Sequence, residues 1–328
     1  MKLRVLPAHA IDAALPMLDA INVNAKAYQM VSAQRVHLPQ RVPIETSKGI
    51  TLFMPAYVEP TGDLAIKVVS VYGENPKRGL PTIHALVLVL DSATGQPLAL
   101  LDGTRLTALR TGAGAGAATR VLAREDSRIM ALFGAGGQAQ DQVEAVLTVR
   151  PITEVRIYTP SRTSAERLAT RLAQRHPKVT FRCVDSPRAA VVGADIITCA
   201  TTSSTPVFDP ADVAPGTHIN GIGSFTPDMR EVQVVGLPHL RIFVDSLDAA
   251  QAEAGDIIQA VQEGHVRWED VVEIGQVLMG AAPGRTSPEE ITFFKSVGVA
   301  VQDAMTAGAV LARAQELDLG LTIDLDET

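Results

Sequence analysis

The stretch IMALFGAGGQA, residues 129–139, runs from five apolar residues into a glycine-rich turn. The apolar run predicts a buried strand, and the segment Gln138–Val149 has the spacing of an amphipathic helix. A second strand is predicted at Glu154–Tyr158. A strand, a glycine turn, a helix and another strand about 20 residues further on are the first unit of a dinucleotide-binding fold.

Each small residue of the turn has a specific use in such a fold. Gly134 permits the tight turn, Gly136 lets the backbone approach a pyrophosphate, and Ala139 allows the helix to pack closely on the strand. The unpaired N–H groups at the helix N-terminus then point at the phosphates. The sequence therefore predicts an NAD(P) site here, with a purely structural glycine turn as the alternative.

The region around this turn alternates strands and helices, which indicates a parallel, doubly wound sheet. The predicted strands are Arg128–Phe133, Glu154–Tyr158, Val179–Cys183, Asp195–Ala200, His218–Ile222 and Arg241–Val244. The predicted helices between the first four are Gln138–Val149, Thr163–Arg175 and Pro187–Val192.

The chain before Leu106 has no such alternation and is predicted to be largely antiparallel. An opening helix is predicted over Ile11–Ala33 from a periodicity of three to four residues. Strands are predicted at Gly49–Pro55 and Leu64–Val71, with a hairpin of Ile83–Leu90 and Pro97–Leu101. Further helices are predicted at Thr107–Ala123 and at Phe294–Leu317, the latter returning to this first part.

Composition narrows the class of ligand. The 328 residues carry a formal charge of −7, with 46% hydrophobic and 20% charged residues. Such a chain disfavours nucleic acid and anionic membranes as partners, and its apolar runs are too short to span a bilayer. No secretory signal or metal-ligand spacing is evident, so we expect a cytoplasmic protein that binds a small molecule, holds no metal and keeps Cys183 and Cys199 reduced.

The second strand of the dinucleotide fold ends without the acid that usually binds the ribose of NAD. Thr159, Ser161 and Arg162 stand there instead. Hydroxyl groups and an arginine suit a 2′-phosphate, so the sequence favours NADP(H) over NAD(H). The alternative is that Arg162 is a solvated residue at a helix start.

With these motifs in view, the chain resembles the ornithine cyclodeaminase/mu-crystallin family over nearly its whole length. The stretches that carry the resemblance are MPAYVEPTGDLAIKVVSVYGENPKRGLPTIHALVLVLDSATGQPLALLDGTRLTALRTGA, GAGGQA, HINGIGSFTPDMRE, EAGDII and FKSVGVAVQD. The resemblance implies an α/β fold with a Rossmann-type doubly wound parallel sheet and a discontinuous α/β substrate-binding and dimerisation domain. It places the latter at residues 1–115 and 305–328, the Rossmann domain at 116–304, and implies a homodimeric NAD(P)-dependent oxidoreductase.

The same resemblance implies which residues form the site. Arg41, Lys67 and Arg110 match positions around the substrate carboxylate and reacting carbon, and Val297 matches a residue that touches the substrate. Thr82, Gln138, Thr201, Gly223 and Ser296 match positions that contact the dinucleotide. The full candidate set for the cofactor is Thr82, Arg110, Gly134, Gly136, Gly137, Gln138, Thr159, Ser161, Arg162, Thr201, Gly223 and Ser296.

Local sequence supports catalytic roles for two of these residues and suggests a third. Lys67 lies in an apolar strand, where a lysine needs a partner or a function; the alternative is a lysine that points outward from an edge strand. A substrate carboxylate would be that partner, and the ammonium could protonate an imine. The planar guanidinium of Arg110 suits a carboxylate clamp. His84, two residues beyond Thr82, is a further candidate for proton transfer or a packed neutral histidine.

The chain departs from the cyclodeaminases at one place. These enzymes carry an Asp after the HINGIG-like strand as proton acceptor and donor, and a Lys four residues later. Here Phe225 and Met229 occupy the two positions. Amine oxidation needs a base at this point, whereas reduction of a preformed ketimine does not. Asp228 is a candidate substitute, although we do not expect it to reach the same point.

The sequence therefore predicts a reductase of cyclic ketimines, which would convert Δ1-pyrroline-2-carboxylate or Δ1-piperideine-2-carboxylate to L-proline or L-pipecolate. Ornithine cyclodeaminase and alanine dehydrogenase are the alternative enzymes. An alternative of another class is a non-catalytic, mu-crystallin-like ligand-binding protein. The presence of both Lys67 and Arg110 disfavours the last, because a pure binder has no need of both.

Overall fold

Two compact units make up the computed structural model, which describes residues 1–326. One unit comprises residues 1–110 and the described residues from 299 onward, and the other comprises 111–298. None of the helices in residues 1–326 is both long enough and apolar enough to cross a bilayer.

The strands β1 to β16 are, in chain order, Lys2–Leu6, Val36–His37, Val42–Thr46, Gly49–Val58, Asp63–Val71, Ile83–Asp91, Pro97–Asp102, Ile129–Phe133, Glu154–Tyr158, Thr180–Cys183, Ile196–Cys199, His218–Gly221, Leu240–Val244, Val271–Glu273, Ile291–Lys295 and Leu321–Asp324. The helices α1 to α10 are Ala8–Ala14, Met17–Ser32, Gly103–Leu122, Ala139–Val149, Arg162–Arg175, Pro187–Val191, Leu247–Glu253, Gly255–Gln262, Ile274–Leu278 and Ala300–Glu316. Short 3-10 turns lie at Asn75–Arg78, Pro210–Asp212 and Trp268–Asp270.

The first unit is built on one mixed sheet. Its strand order is β16-β1-β7-β6-β5-β4-β2, with β3 also paired to β4, and the pairs are antiparallel except β1 with β7. Helix α10 packs against β4, β5 and α2. Because side chains alternate along a strand, Ala65, Lys67 and Val69 of β5 share the buried face of the sheet.

The second unit is a fully parallel sheet of the order β10-β9-β8-β11-β12-β15-β13-β14. Alternate residues of β8 supply two separate cores, with Met130 and Leu132 in one and Ala131 and Phe133 in the other. Both faces of a parallel sheet are normally covered, which explains the continuous apolar run of this strand. The predicted doubly wound α/β fold is confirmed.

Two predicted helices were wrong in extent. The segment Ile11–Ala33 forms two helices, α1 and α2, because Pro16 cannot continue the first and instead stands before the first residue of the second. The segment Phe294–Leu317 begins in β15, where the strand pairs with β12 and β13, and the helix starts only at Ala300. Gly298 lies between them with a φ of 80°, a left-handed conformation that glycine adopts without strain.

Candidate active site

The first group of candidate residues surrounds Lys67 in the first unit. The side chain of Lys67 points toward helix α10, and its Nζ donates to Asp303 Oδ2 at 2.6 Å. Both side chains are only 2% exposed. Lys67 is therefore a buried, paired cation, and the alternative of an outward-pointing lysine is wrong.

Arg110, on α3, binds the other oxygen of the same carboxylate. Its Nε donates to Asp303 Oδ1 at 3.0 Å, and its Nη1 donates to Gln302 Oε1 at 3.2 Å. Gln302 in turn donates to Tyr28 Oη at 2.9 Å and to Asn24 Oδ1 at 3.0 Å. These buried contacts fix the plane of the guanidinium and engage its Nε and one terminal nitrogen.

The electrostatics of this group favour an anion. Burial lowers the pKa of Lys67 to about 8, Asp303 opposes the shift, and the positive charges of Arg110 and Arg41 add to it. Arg41 lies in the segment before β3 and is half-buried. Three positive charges thus lie near the single negative charge of Asp303, and an incoming carboxylate would reduce this excess of positive charge.

His84 does not belong to this group. In the register of β5 and β6, His84 lies opposite Ser70, whereas Lys67 lies opposite Val87. Positions three apart on a strand point to opposite faces, so the exposed His84 side chain lies on the other face of the sheet from Lys67. The structure therefore does not bring His84 beside Lys67, and the role of His84 in proton transfer stays a prediction.

Thr82 also lies in the first unit, immediately before β6. Its carbonyl oxygen accepts from the backbone N of Tyr72 at 2.9 Å, which fixes the main chain there. Its side chain is half-buried.

The second group lies in the second unit, at one edge of the parallel sheet. Five candidate cofactor residues directly follow, or lie two residues after, the carboxyl ends of five strands: Gly134 after β8, Thr159 after β9, Thr201 after β11, Gly223 after β12 and Ser296 after β15. The pairs of strands are parallel, so these ends share an edge. Open α/β sheets bind ligands at this edge.

The glycine turn has the shape that a dinucleotide needs. Gly134 has a φ of 97°, and an added Cβ would lie 2.5 Å from the carbonyl oxygen of Ala200. At Gly136 and Gly137 an added Cβ would meet nothing within 4 Å, so the space beside the turn is open. Gln138, at the start of α4, has a buried Oε1 without a hydrogen-bond partner among the described residues. An orphaned acceptor beside open space and a helix N-terminus fits a bound dinucleotide.

A buried carboxylate that the sequence did not single out fixes two of these loops. Glu231 accepts from Thr201 N at 2.6 Å, Thr201 Oγ1 at 2.8 Å, Gly223 N at 2.6 Å and Ser224 N at 2.9 Å. Burial raises its pKa. Glu231 therefore holds the loops after β11 and β12 together by four hydrogen bonds.

Asp245 does the same for the loop after β15. Its Oδ2 accepts from Ser296 Oγ at 2.7 Å and from the backbone N of Gly298 at 2.8 Å. Val297 lies between these two residues and is buried. The structure thus fixes the two candidate residues Ser296 and Val297 through one carboxylate.

Two of the three residues predicted to bind a 2′-phosphate, Ser161 and Arg162, are engaged within the protein. Ser161 caps α5 by accepting from the backbone N of Ser164. The guanidinium of Arg162 donates to Glu166 Oε1 at 3.0 Å and to Asp185. Two carboxylates therefore balance the charge that a 2′-phosphate would need.

The segment that departs from the cyclodeaminases carries no protected base. Phe225 and Met229 are partly buried, and Asp228 is exposed. The carboxylate of Asp228 accepts from Thr226 Oγ1 at 2.7 Å, which lowers its pKa. An exposed, locally bonded and ionised carboxylate does not replace a buried general base.

No group of three His, Cys, Asp or Glu suited to a metal ion occurs within residues 1–326. Cys199 is buried and Cys183 partly buried, and burial raises the pKa of both thiols.

Comparisons with known proteins show which family the chain is similar to. The model of the ornithine cyclodeaminase/mu-crystallin family matches residues 1–318. The chain is 38% identical to a Δ1-pyrroline-2-carboxylate reductase of Bacillus cereus over 312 residues, covering 94% of this chain and 95% of that protein. The solved structure of Thermococcus litoralis Δ1-pyrroline-2-carboxylate reductase with NADH and L-proline superimposes with a TM-score of 0.93 at 36% identity, covering 98% of this chain and 100% of that one. An archaeal alanine dehydrogenase dimer with bound NAD gives a TM-score of 0.91 at 34% identity, covering 99% and 100%.

Proposed function

Because the chain belongs to the ornithine cyclodeaminase/mu-crystallin family, we propose that it is an NAD(P)H-dependent reductase of cyclic ketimines, with Δ1-pyrroline-2-carboxylate or its six-membered homologue as substrate. The observation that carries the proposal is the buried cluster of Lys67 and Arg110 on Asp303, with Arg41 near enough to lower the pKa of Lys67. Its excess of positive charge suits a substrate that combines a carboxylate with an imine nitrogen.

The residues of the first unit bind and protonate this substrate. Arg41 and the second terminal nitrogen of Arg110 bind the carboxylate, which fixes the ring relative to Lys67. The Lys67 ammonium donates a proton to the imine nitrogen, and a pKa of about 8 keeps it charged at neutral pH and able to release the proton. Bound NAD(P)H supplies the hydride for the carbon of the C=N bond.

The residues of the second unit bind the dinucleotide. The turn Gly134–Gly137 and the N-terminus of α4 hold the pyrophosphate, and Gln138 Oε1 accepts a hydrogen bond from the cofactor. Glu231 and Asp245 keep Thr201, Gly223 and Ser296 in place at the sheet edge. Val297, also in this unit, and Thr82, in the first unit, keep as predictions the roles that the family resemblance implies.

The coenzyme that we propose is NAD(H), against the expectation of NADP(H) from the sequence. A 2′-phosphate would have to draw Arg162 away from Glu166 and Asp185, and these acids would then repel it. The T. litoralis structure contains NADH and the archaeal alanine dehydrogenase NAD, which supports the same choice.

The assembly that we propose is a homodimer formed through the first unit. The large apolar side chains Leu86, Val42 and Ile44 of this unit are 52%, 55% and 53% exposed. A groove of about 530 Å³ lies on the same sheet face as Leu86 and is lined by Val68, Leu100 and His84. An exposed apolar face of this kind is typical of a subunit interface, and the related alanine dehydrogenase is a dimer.

A steady-state assay with the purified protein tests both the reaction and the coenzyme. Δ1-pyrroline-2-carboxylate and Δ1-piperideine-2-carboxylate are each offered with NADH and with NADPH. We expect ketimine-dependent oxidation of the coenzyme, with the higher kcat/KM for NADH. Lack of oxidation with both ketimines would contradict the reaction, and a higher kcat/KM for NADPH would contradict the coenzyme assignment alone.

A further inference from the structure

Asp303 is the carboxylate shared by the two buried cations of the first unit. It lies in the first turn of α10, where the partial positive charge of the helix N-terminus stabilises an ionised carboxyl group. Its two oxygens have separate partners, Lys67 Nζ at 2.6 Å and Arg110 Nε at 3.0 Å. One residue therefore sets the distance and the orientation between the ammonium and the guanidinium.

The charged groups that act on Lys67 come from three elements. Helix α10 supplies Asp303, α3 supplies Arg110, and the segment before β3 supplies Arg41. The strands on either side of β5 place the apolar residues Met54 and Val87 opposite Lys67. Asp303 is the group in this set that favours the charged form of Lys67, whereas burial and both arginines favour the neutral form.

We propose that Asp303 is the positioning residue of the substrate site, which holds Lys67 and Arg110 in register for an imino-carboxylate and keeps Lys67 charged until it protonates the substrate. This inference rests on the proposed function. In the reaction the imine carbon accepts a hydride, with its electron pair, from the reduced nicotinamide, which is oxidised, and the nitrogen accepts a proton from Lys67. Lys67 regains its proton from solvent after the product leaves, and Asp303 exchanges no atoms with the substrate.

The proposal predicts a shift in pH dependence that a merely structural residue would not cause. Lys67 must be protonated to act, so kcat/KM for ketimine reduction falls as the pH rises through its pKa of about 8. In Asp303→Asn the two arginines and burial remain while the opposing charge is lost. The midpoint of this fall is expected about 1–3 pH units lower, which by itself reduces kcat/KM at pH 7 about 2-fold to 100-fold.

Asp63→Asn is the matched control. Asp63 lies on the same face of β5, about 13 Å along the strand from Lys67, and its carboxylate packs against α10 at Gly308 while it accepts from Thr61 Oγ1 at 2.6 Å. The control removes one partly buried carboxylate from the contact between β5 and α10 and leaves both Lys67 and Arg110 unchanged. Its midpoint is expected to equal that of the wild-type protein.

A direct titration separates this inference from the proposed function. The Cε resonance of Lys67 in ¹³C-lysine-labelled protein, assigned with Lys67→Met, reports the protonation of Lys67 whatever the substrate is. If the midpoint of the Lys67 titration is lower in Asp303→Asn and unchanged in Asp63→Asn, the inference is supported even if no ketimine is reduced. An unchanged Lys67 midpoint in Asp303→Asn would overturn it, even if ketimine reduction is observed in the wild-type protein.

Asp303→Glu keeps the test decisive if Asp303→Asn does not fold. This variant retains the charge but displaces it by one methylene, so the Lys67 midpoint is expected to stay near the wild-type value. The geometry of the two cations changes, and kcat/KM for the ketimine is expected to fall about 10-fold while the Kd for NADH is unchanged. A wild-type kcat/KM in Asp303→Glu would contradict the positioning role.

Discussion

Lys67 differs from an ordinary surface lysine in both its partner and its environment. Its ammonium is buried on a carboxylate and acted on by two arginines, which places its pKa at about 8. The apolar strand around it indicated from sequence that Lys67 needed a partner. The partner, Asp303, lies 236 residues away in the chain, and only the packing of α10 on β5 brings it near. A polar pair, Gln302-Asp303, within the apolar and Ala-rich run of this helix was the signal that the sequence offered.

Lys67→Met removes the proposed proton donor. Methionine fills a similar volume but donates no proton, so ketimine reduction is expected to fall about 10²–10⁴-fold in kcat. NADH binding, measured by a fluorescence titration, is expected to be unchanged, because the residues proposed to bind the dinucleotide are held by Glu231 and Asp245.

Lys77→Met is the control for this variant, since Lys77 belongs to the same unit but is 75% exposed and forms an ion pair with Glu74 at the surface. It is expected to behave as the wild-type protein. A Lys67→Met variant that retains most of its ketimine reductase activity would remove Lys67 from the mechanism.

The glycine turn between β8 and α4 shows how much of an element can be predicted from local sequence. The sequence predicts the strand, the turn and the helix correctly and in this order. The turn needs glycine at position 134, because only glycine fits the left-handed conformation so close to the carbonyl oxygen of Ala200. The segment Phe294–Leu317 shows where prediction from local sequence fails. An apolar run can form a buried strand or a buried helix, and pairing with β12 and β13 decides for a strand up to Lys295.

Two alanine variants of this turn should separate fold from cofactor binding. Gly134→Ala forces a side chain into the left-handed region and against the carbonyl of Ala200. It is expected to lower the free energy of unfolding by about 1–3 kcal/mol from backbone strain alone. Gly136→Ala meets no protein atom within 4 Å, so its stability should be near wild type while its Kd for NADH rises.

Urea unfolding and NADH titration of both variants provide the measurement. Equal loss of stability in the two variants would contradict the account of the turn. So would wild-type NADH affinity in Gly136→Ala, because the methyl group would then not occupy the path of the pyrophosphate.

In the molecule as a whole, we propose that the first unit binds and protonates the substrate and that the second unit binds the dinucleotide. The doubly wound sheet was predictable, because alternation of strands and helices is a local pattern. The sharing of Glu231 by Thr201 and Gly223 was not, since a carboxylate eight residues beyond Gly223 gives no sign of where its side chain points. The opposite face taken by His84 depends on the register of β5 and β6, which the sequence did not specify.

The proposed homodimer is tested by Leu86→Glu. A charge placed on the exposed apolar face of the first unit should disfavour association, because burying an unpaired carboxylate is costly. Sedimentation is expected to show a dimer for the wild-type protein and a monomer for the variant. Val192→Glu, at a residue of the second unit that is 48% exposed, is the control and should remain dimeric; a dimeric Leu86→Glu would exclude this face as the interface.

Reduction of a preformed imine can be distinguished from oxidation of an amine by comparing two reactions of the wild-type protein. One is NADH-dependent conversion of Δ1-pyrroline-2-carboxylate to L-proline, and the other is ammonia release from L-ornithine with NAD⁺. An amine must lose a proton before its carbon can give up a hydride, and Phe225 cannot accept one, while Asp228 is exposed and bonded to Thr226. We predict ready formation of proline and almost no ammonia. Rapid release of ammonia from ornithine would contradict the account and identify the protein as a cyclodeaminase.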